Sequence, residues 1–327
     1  MASERLTLAL ESGQVVLPDE GQIAVFGPSN LADIAEIPKD RAVILQPLKP
    51  AHDVFAAAGY DCAIEPDGDF AASVVFLPRA KALAQLRVAQ AAALGGPVYV
   101  DGQKTDGIDS MLKACKKRAD VAGSFSKAHG KLFWFAGGDF ADWQNDAPSE
   151  VDQGFQTRPG VFSADGIDPA SKALAAALPE KLGKQVADLG AGWGYLSRTI
   201  LTRGEVEDLY LIEADYAALE CAKANVTDPR ASFHWADATT WEPRARMNTV
   251  VMNPPFHTGR AADPDLGRAF IAAAARMLAP TGQLWVVANR HLPYEATLEA
   301  HFAKVEEVTG DNRFKILRAE RPARARR

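Results

Sequence analysis

Short apolar runs separated by longer helix-like segments make up the first 135 residues. The runs lie at 23–26, 42–45, 73–77, 97–100 and 131–135. None of them alternates polar with apolar residues, which is typical of strands buried on both faces of a sheet. Segments 52–58 and 79–94 are predicted helices, and the second ends at Gly95-Gly96, a favourable C-cap. Strand and helix therefore alternate, which predicts an α/β layer with a parallel sheet.

The pattern changes between about residues 137 and 160. This stretch is rich in Gly, Asp, Asn and Pro, which are residues of turns and linkers. We therefore place a domain boundary near residue 150, which gives domains at 1–150 and 151–327. No tight double-glycine loop occurs before residue 150, so the first half is predicted to bind no nucleotide-like cofactor.

The second half repeats the alternation of strands and helices. Asp168-Pro169 combines a good N-cap with a proline at the first helical position, and it predicts a helix through about residue 178. Further helices are predicted at about 193–203 and 266–278. Predicted strands lie at 185–189, 209–213, 233–237, 249–252 and 284–289, and Gly310-Asp311-Asn312 marks a hairpin.

Length and composition are those of a globular protein of two-domain size. The 327 residues are 47% hydrophobic and 24% charged. No apolar run approaches the roughly 20 residues that a membrane-spanning helix needs, and the N-terminal segment lacks the features of a signal peptide. The cytoplasm is therefore the expected compartment. Cys62, Cys115 and Cys221 have neither disulfide nor zinc-ligand spacing, and no metal site is predicted.

The net charge of −6 argues against a protein that coats nucleic acid through bulk charge. A local basic cluster is nevertheless present at Lys113, Lys116, Lys117 and Arg118. Such a run is more often a solvated helix face than a contact to RNA phosphate. The arginines between 318 and 327 are likewise interpreted as a solvated chain end.

A glycine-rich loop follows the strand at 185–189 and supplies the first candidate chemistry. Gly190, Gly192 and Gly194 let the backbone turn sharply and let a ligand approach the main chain. A dinucleotide-binding fingerprint requires its third glycine at position 195, which is Tyr195. An acid two residues before the first glycine, Asp188, with glycines spaced by two, is instead the pattern of S-adenosylmethionine (SAM) binding. There the loop packs against the methionine part of the cofactor, and the acid attracts its positively charged groups.

Two further acids follow the next strands. Glu213 lies 25 residues after Asp188 at a strand end, where a carboxylate accepts both ribose hydroxyls of a nucleoside. Asp237 ends another strand, where its side chain is expected to reach the adenine amine. The predicted cofactor-binding residues are Asp188, Gly190, Gly192, Gly194, Glu213, Ala214, Asp237, Ala238 and Asn253.

The segment Asn253-Pro254-Pro255-Phe256 follows the apolar strand at 249–252. Its two prolines hold the turn stiffly, because each fixes its own φ and restricts the residue before it. The turn presents an amide side chain, backbone carbonyls and an aromatic ring, which together suit a planar group that bears an NH2. Alone, such a turn is also compatible with a simple strand-terminating loop. The three strand ends upstream favour amine methylation.

With these elements in place, the chain resembles class I SAM-dependent methyltransferases. Within them it is similar to the small-subunit ribosomal RNA guanine-N2 methyltransferases of the C type and their large-subunit relatives. The glycine loop marks the superfamily, and segments around it are more specific. The segments that carry the resemblance are Gly160-Val161-Phe162-Ser163 with Asp165-Gly166 and Asp168, the loop from Asp188 to Gly194, Asn253-Pro254-Pro255-Phe256-His257, Val287-Ala288-Asn289 with Leu292-Pro293-Tyr294, and Arg313-Phe314-Lys315.

The resemblance implies two tandem Rossmann-like methyltransferase domains. The domain at 1–150 is then a degenerate copy that has lost its cofactor loop and has an RNA-positioning or structural role. The domain at 151–327 is the catalytic one, with a seven-stranded SAM-binding sheet. The implied reaction transfers a methyl group from SAM to the exocyclic N2 amine of a guanine in ribosomal RNA. Ribosomal RNA or the small ribosomal subunit is the implied partner, no membrane is involved, and a monomer is expected.

In that reaction Asn253 and the carbonyl of Pro254 accept the two hydrogens of the amine, and Phe256 stacks on the base. A paired base does not reach such a pocket, so the base must be unpaired or flipped. The predicted catalytic residues are Asn253, Pro254 and Phe256, and the predicted substrate-binding residues are Pro255, Phe256, His257, Arg290, Arg313 and Lys315.

The Asn-Pro-Pro turn by itself leaves other functions open. The N6 amine of adenine and the side-chain amide of a protein glutamine are also planar NH2 groups. A non-catalytic RNA-binding or assembly factor is the alternative from a different class. The polymer and the base that accept a labelled methyl group discriminate among these hypotheses.

Overall fold

The computed structural model describes residues 5–255, 257–258, 261–262 and 264–323. The chain divides into two compact units, Met1–Ala147 and Pro148–Arg327. Within the described residues, each unit is built around one sheet of seven strands. None of the helices in these ranges is long and apolar enough to cross a membrane.

The first unit packs helices against a mixed sheet. Its strands are β1 (Gln22–Phe26), β2 (Ala42–Leu45), β3 (Asp61–Ala63), β4 (Phe70–Phe76), β5 (Pro97–Gln103), β6 (Val121–Lys127) and β7 (Gly130–Ala136). Its helices are α1 (Arg5–Glu11), α2 (Lys49–Ala57), α3 (Lys81–Ala93) and α4 (Ile108–Cys115). The strand order is β3-β2-β1-β4-β5-β7-β6, and only β7 runs antiparallel to its neighbours. Val74 and Val75 of β4 join apolar clusters on opposite faces, so the sheet is buried on both sides.

The second unit opens with a small hairpin and continues into the larger sheet. Its strands are β8 (Ser149–Val151), β9 (Phe155–Thr157), β10 (Gln185–Leu189), β11 (Asp208–Glu213), β12 (Ala231–Trp235), β13 (Met247–Met252), β14 (His257–Thr258), β15 (Ala261–Ala262), β16 (Leu278–Asn289), β17 (Phe302–Gly310) and β18 (Phe314–Pro322). Its helices are α5 (Pro169–Ala177), α6 (Tyr195–Ile200), α7 (Tyr216–Asn225), α8 (Pro264–Met277) and α9 (Glu295–His301).

The order of strands in this sheet creates a place for a ligand. It is β12-β11-β10-β13-β16-β18-β17, with β18 antiparallel to both of its neighbours. The chain passes outward from β10 through β11 and β12, then returns to β13 on the other side of β10. Ligands bind at the carboxyl ends of strands beside such a reversal. Val250 and Val251 of β13 pack into apolar clusters on opposite faces of the sheet, so the strand beside this reversal is held from both sides.

The predicted fold class is confirmed, and the differences are local. The two sheets each contain five parallel strands, but a closing antiparallel pair makes them mixed. Helix α6 begins at Tyr195 rather than at the predicted residue 193, because Gly194 has a φ of +93° that no helical residue adopts. Strands β3 and β6 were not predicted. The first has three residues, and the second carries small and polar side chains.

Candidate active site

Four adjacent strands of the second sheet end at the same edge, and each end carries one of the predicted elements. The glycine loop follows β10, Glu213 ends β11, Asp237 follows β12 and the Asn253 turn follows β13. The sequence hypothesis that these groups share one edge of the sheet therefore agrees with the topology.

The glycine loop is held in a backbone conformation that side chains disfavour. The φ angles of Gly190, Gly192 and Gly194 are +72°, +55° and +93°. A Cβ at Gly194 would lie 2.8 Å from a methyl group of Val226, whereas one at Gly192 would meet no atom within 4 Å. Gly194 is thus required for packing beneath the loop. Gly192 presents open backbone that a ligand is able to approach.

Asp188, in the strand before the glycine loop, is bonded to the helix that follows the loop. Its carboxylate is fully buried, and its Oδ2 accepts a hydrogen bond of 2.7 Å from the Ser197 hydroxyl on α6. Burial raises its pKa to about 7, against the hydrogen bond from Ser197, which lowers it. No described residue donates to Oδ1 of Asp188. A buried acceptor without a partner is costly, and an N–H of a bound cofactor would satisfy it.

Glu213 joins the second strand end to the loop. Its Oε2 accepts from the backbone N–H of Gly192 at 2.7 Å, and its Oε1 accepts from that of Asp215 at 2.8 Å. Burial raises the pKa of Glu213 to about 7, although the backbone N–H groups oppose that rise. The carboxylate retains further lone pairs, so it is able to accept ribose hydroxyls as well. The neighbouring carbonyl of Ala214 accepts from the Trp235 indole N–H at 2.8 Å.

Asp237 turns the chain after β12. Its Oδ1 accepts from both the backbone N–H and the hydroxyl of Thr239, at 2.8 and 2.7 Å. Ala238, the next residue, is buried. One oxygen of Asp237 is therefore used by the turn, and the predicted contact to an adenine amine would be made by the other.

Asn253 has its side-chain amide fixed by two partners. Its Nδ2 donates to Oδ2 of Asp168 at 2.9 Å and to the hydroxyl of Ser171 at 2.8 Å. Pro254 behind it is buried and Pro255 is exposed. Sequence reasoning identified Asp168 as the N-cap of α5, which its bond to Ser171 N confirms. It missed the second contact, because 85 residues separate Asp168 from Asn253.

An aromatic anchor holds a second chain segment over the glycine loop. The Trp193 ring packs 4.9 Å from that of Phe155, and its indole N–H donates to the carbonyl of Phe162 at 2.9 Å. The side chain of Phe162 is 62% exposed. A cleft opens here, and its walls include Phe162, Ser163, Asp168, Ser171, Gly192 and Asn253. The cleft therefore joins the cofactor loop to the amide of Asn253.

The second unit matches a known family. Residues 152–318 match the family model of the methyltransferase small domain. The chain is 31% identical to the ribosomal RNA small subunit methyltransferase C of Hahella chejuensis, over 80% of this chain and 80% of that protein. The chain belongs to the ribosomal RNA small subunit methyltransferase C family. The predicted family and the predicted class of enzyme are thereby confirmed.

Two further proteins are similar to this methyltransferase. The ribosomal RNA large subunit methyltransferase G of Streptomyces avermitilis is 37% identical, over 49% of this chain and 43% of that protein. A solved structure, the T. thermophilus 16S rRNA N2 G1207 methyltransferase in complex with AdoMet and guanosine, is 26% identical with a TM-score of 0.80. The match covers 94% of this chain and 90% of that chain, so both units share its fold.

The first unit of this methyltransferase repeats the backbone of the site. Its sheet has the same strand order as the second sheet, and its first strand is also followed directly by a glycine. The N–H of Gly27 donates to the carbonyl of Leu45 at 3.0 Å, as that of Gly190 donates to Ile212 at 2.9 Å. These bonds tie the loop after the first strand to the second strand in both units.

The side chains at this edge of the first unit differ in a way that bears on cofactor binding. Gln46 follows β2 where Glu213 ends β11, and its Nε2 donates to the carbonyl of Pro28 at 2.9 Å. Its Oε1 accepts from Leu48 N at 3.1 Å. An amide that donates to the loop thus replaces a carboxylate that accepts from it. This strand end lacks the charged acceptor that ribose hydroxyls favour.

The predicted substrate-binding residues are placed differently from one another. Phe256 lies outside the described residues, and so does the side chain of His257, whose backbone begins β14. Arg313 is exposed, while Arg290 pairs with Glu307 at 2.8 Å. Lys315 is only 4% exposed, and its ammonium lies 2.6 Å from a carboxylate oxygen of Glu295. This burial favours a structural role for Lys315 over the predicted contact with substrate.

Proposed function

We propose that this methyltransferase transfers a methyl group from SAM to the exocyclic N2 amine of a guanine in small-subunit ribosomal RNA. The observation that carries the proposal is the fixed amide of Asn253, beside the glycine loop at the switch point of the sheet. The likeness to an N2 methyltransferase solved with AdoMet and guanosine supports the guanine.

The residues at the strand ends fit SAM. The open backbone at Gly192 leaves room for the methionine part. Oδ1 of Asp188, to which no described residue donates, would offer an acceptor for its ammonium group. Glu213 would bind the ribose, and Asp237 with Ala238 would bind the adenine. When bound, SAM supplies a methyl group activated by its sulfonium centre. The protein's own task is then to bring an amine to that methyl group in line with the bond that breaks.

Asn253 and Pro254 perform this orientation. The exocyclic amine is a poor nucleophile because its lone pair is delocalised into the base. Acceptance of its two hydrogens by Asn253 Oδ1 and the Pro254 carbonyl favours a pyramidal nitrogen with its lone pair aimed at the methyl group. Correct orientation of this kind contributes up to about 7–11 kcal/mol in the best cases. No strong base is required, since the methylated amine is acidic and loses a proton to solvent.

The base must leave its helix to reach the cleft. Phe256 would then stack on it, with Pro255 and His257 beside it and Arg290 and Arg313 near the RNA backbone. These five assignments rest on the sequence pattern and on the family.

We propose domains at 1–150 and 151–327. The first of them, which contains the first compact unit, is proposed to position the RNA. Its second strand, β2, is followed by Gln46 rather than ending in a carboxylate, while its α4 ends in exposed lysines. A ribosomal RNA substrate also implies a cytoplasmic enzyme. The expected monomer is checked by light scattering of the purified protein.

The test is methylation of ribosomal RNA by the purified protein with labelled SAM, followed by mass-spectrometric mapping of the product. We expect the label on guanine N2, and we expect Asn253→Ala to lower kcat by about 100-fold or more while SAM still binds, because the amine loses its orientation. Label on adenine N6 or on a protein glutamine would support the alternative substrates. Unchanged methyl transfer by Asn253→Ala would refute the proposed role of the amide. Absence of transfer by the wild type to any acceptor would favour the RNA-binding factor.

A further inference from the structure

The environment of Asn253 determines which atom of its amide faces the substrate. An ionised carboxylate only accepts hydrogen bonds, so the atom that lies 2.9 Å from Asp168 Oδ2 must be Nδ2. The second hydrogen of Nδ2 is directed to the Ser171 hydroxyl at 2.8 Å. Both donors of the amide are therefore used, and no described residue donates to Oδ1. An oxygen acceptor of this kind is the atom that an amine requires.

The two groups that accept from the Asn253 amide, the Asp168 carboxylate and the Ser171 hydroxyl, both belong to α5 and its N-cap. Oδ2 of Asp168 also accepts from the backbone N–H of Ser171 at 2.7 Å, and this bond caps α5. Helix α5 is fixed in turn through Leu174, which is fully buried in an apolar cluster with Val186 and Val251 of the sheet. The orientation of the Asn253 amide is thus set by a capped helix packed on the sheet.

The negative charge of Asp168 also affects the oxygen of the Asn253 amide. A carboxylate that accepts from Nδ2 polarises the group and increases the negative charge on Oδ1, as in other chains of hydrogen bonds. During transfer the lone pair of the amine forms the new N–C bond and the S–C bond breaks. Positive charge moves to the amine until a proton leaves to solvent. A more negative Oδ1 stabilises that charge as it develops.

We propose that Asp168 and Ser171 are positioning residues for methyl transfer, which hold Asn253 with Oδ1 toward the amine and polarise it. This inference rests on the proposed function, because it assigns these side chains to the amine-binding side of the same site.

Two substitutions separate this role from the stability of the helix. Asp168→Ser retains a hydroxyl N-cap for α5 but is too short to reach Asn253. Ser171→Ala keeps the backbone N–H that the cap requires and removes only the hydroxyl; alanine is the better helix former. Lys172→Ala, at the next and exposed position of α5, is the matched control.

We expect Asp168→Ser to lower kcat by about 10- to 100-fold and Ser171→Ala by about 3- to 10-fold, as for loss of a charged and a neutral hydrogen bond. The Kd of SAM should change less than about twofold, and Lys172→Ala should retain wild-type kcat. In an Asn253→Ala background both substitutions should become nearly neutral, because they act only through that amide.

A second readout does not depend on turnover. In the full-length protein labelled with ¹⁵N-asparagine, the side-chain amide protons of Asn253 should exchange slowly with solvent, and faster in both variants. Full kcat in both variants, or amide exchange that they leave unchanged, would overturn the positioning role while the proposed function stood. Failure of the wild type to methylate guanine would refute the proposed function, and the exchange rates would still report whether Asp168 and Ser171 hold the amide.

Discussion

Glu213 shows how one carboxyl group both holds the glycine loop in place and offers acceptors to a ligand. Its two oxygens accept from the N–H groups of Gly192 and Asp215, so the carboxylate fixes the loop before any ligand arrives. Gln46 holds the equivalent place in the first unit and donates to its loop instead. The acid at the end of the second strand is therefore able to accept ribose hydroxyls in the second unit, whereas the amide in the first unit lacks that charged acceptor.

We expect Glu213→Gln to raise the Kd of SAM by about 10- to 100-fold, because hydrogen bonds to a charged group contribute about 1.5–3 kcal/mol. Burial raises the pKa of Glu213 to about 7. The ionised form is the one that accepts ribose hydroxyls, so wild-type affinity should rise as the pH increases through that value. In the Glu213→Gln variant this rise should be smaller, and what remains of it reports Asp188, whose pKa burial also raises to about 7.

Isothermal titration calorimetry at several pH values measures both effects. Glu207→Gln, at an exposed acid that precedes β11, serves as the control. If the Glu213→Gln variant bound SAM as tightly as the wild type, Glu213 would have no direct contact with the ribose.

The glycine loop and the start of α6 form a single element that depends on Gly194. This residue combines a φ of +93° with close contact to Val226, whose methyl group would lie 2.8 Å from an added Cβ. Gly194→Ala should therefore lower the free energy of unfolding by about 1–3 kcal/mol through backbone strain, and weaken SAM binding by displacing the loop.

The control is Gly204→Ala, since an added Cβ there meets no atom within 4 Å. Thermal unfolding and SAM titration of the two variants measure the effects. Equal melting temperatures for Gly194→Ala and the wild type would show that the loop adapts without cost.

The elements themselves could largely be predicted from sequence because each carries a local signal. Continuous apolar runs marked the buried strands, and Asp168-Pro169 marked the start of α5. Local signals fail where the cause is distant. Nothing near Ser171 in sequence indicates that its hydroxyl accepts from Asn253, and the pairing of Lys315 with Glu295 depends on how β18 meets α9.

The whole molecule contains two sheets of the same strand order, but the two units carry their charged side chains at different places. The second unit places carboxylates at the carboxyl ends of its strands. The first places exposed cations at the end of α4, which lies beside the start of β6 and therefore at the opposite edge of its sheet. Nearby Arg118 and Lys131 pair with Asp142 and Asp109. Among the described residues, no ion pair involves Lys113, Lys116 or Lys117. In a chain of net charge −6, such a local group of cations suits RNA phosphate.

If the first unit positions the RNA, replacement of Lys113, Lys116 and Lys117 by Gln should raise the KM for ribosomal RNA and leave the Kd of SAM unchanged. For each phosphate that is no longer neutralised, the negative slope of log K against log salt concentration should become less steep by about 0.7–0.9, because fewer counterions are released. RNA binding measured at several salt concentrations therefore reports how many phosphates these lysines neutralise. Replacement of the exposed residues Lys81, Lys181 and Lys184 by Gln changes the net charge equally and is the control. Identical slopes for the two triple variants would exclude α4 as an RNA-binding element, since bulk charge alone would then account for the weaker binding.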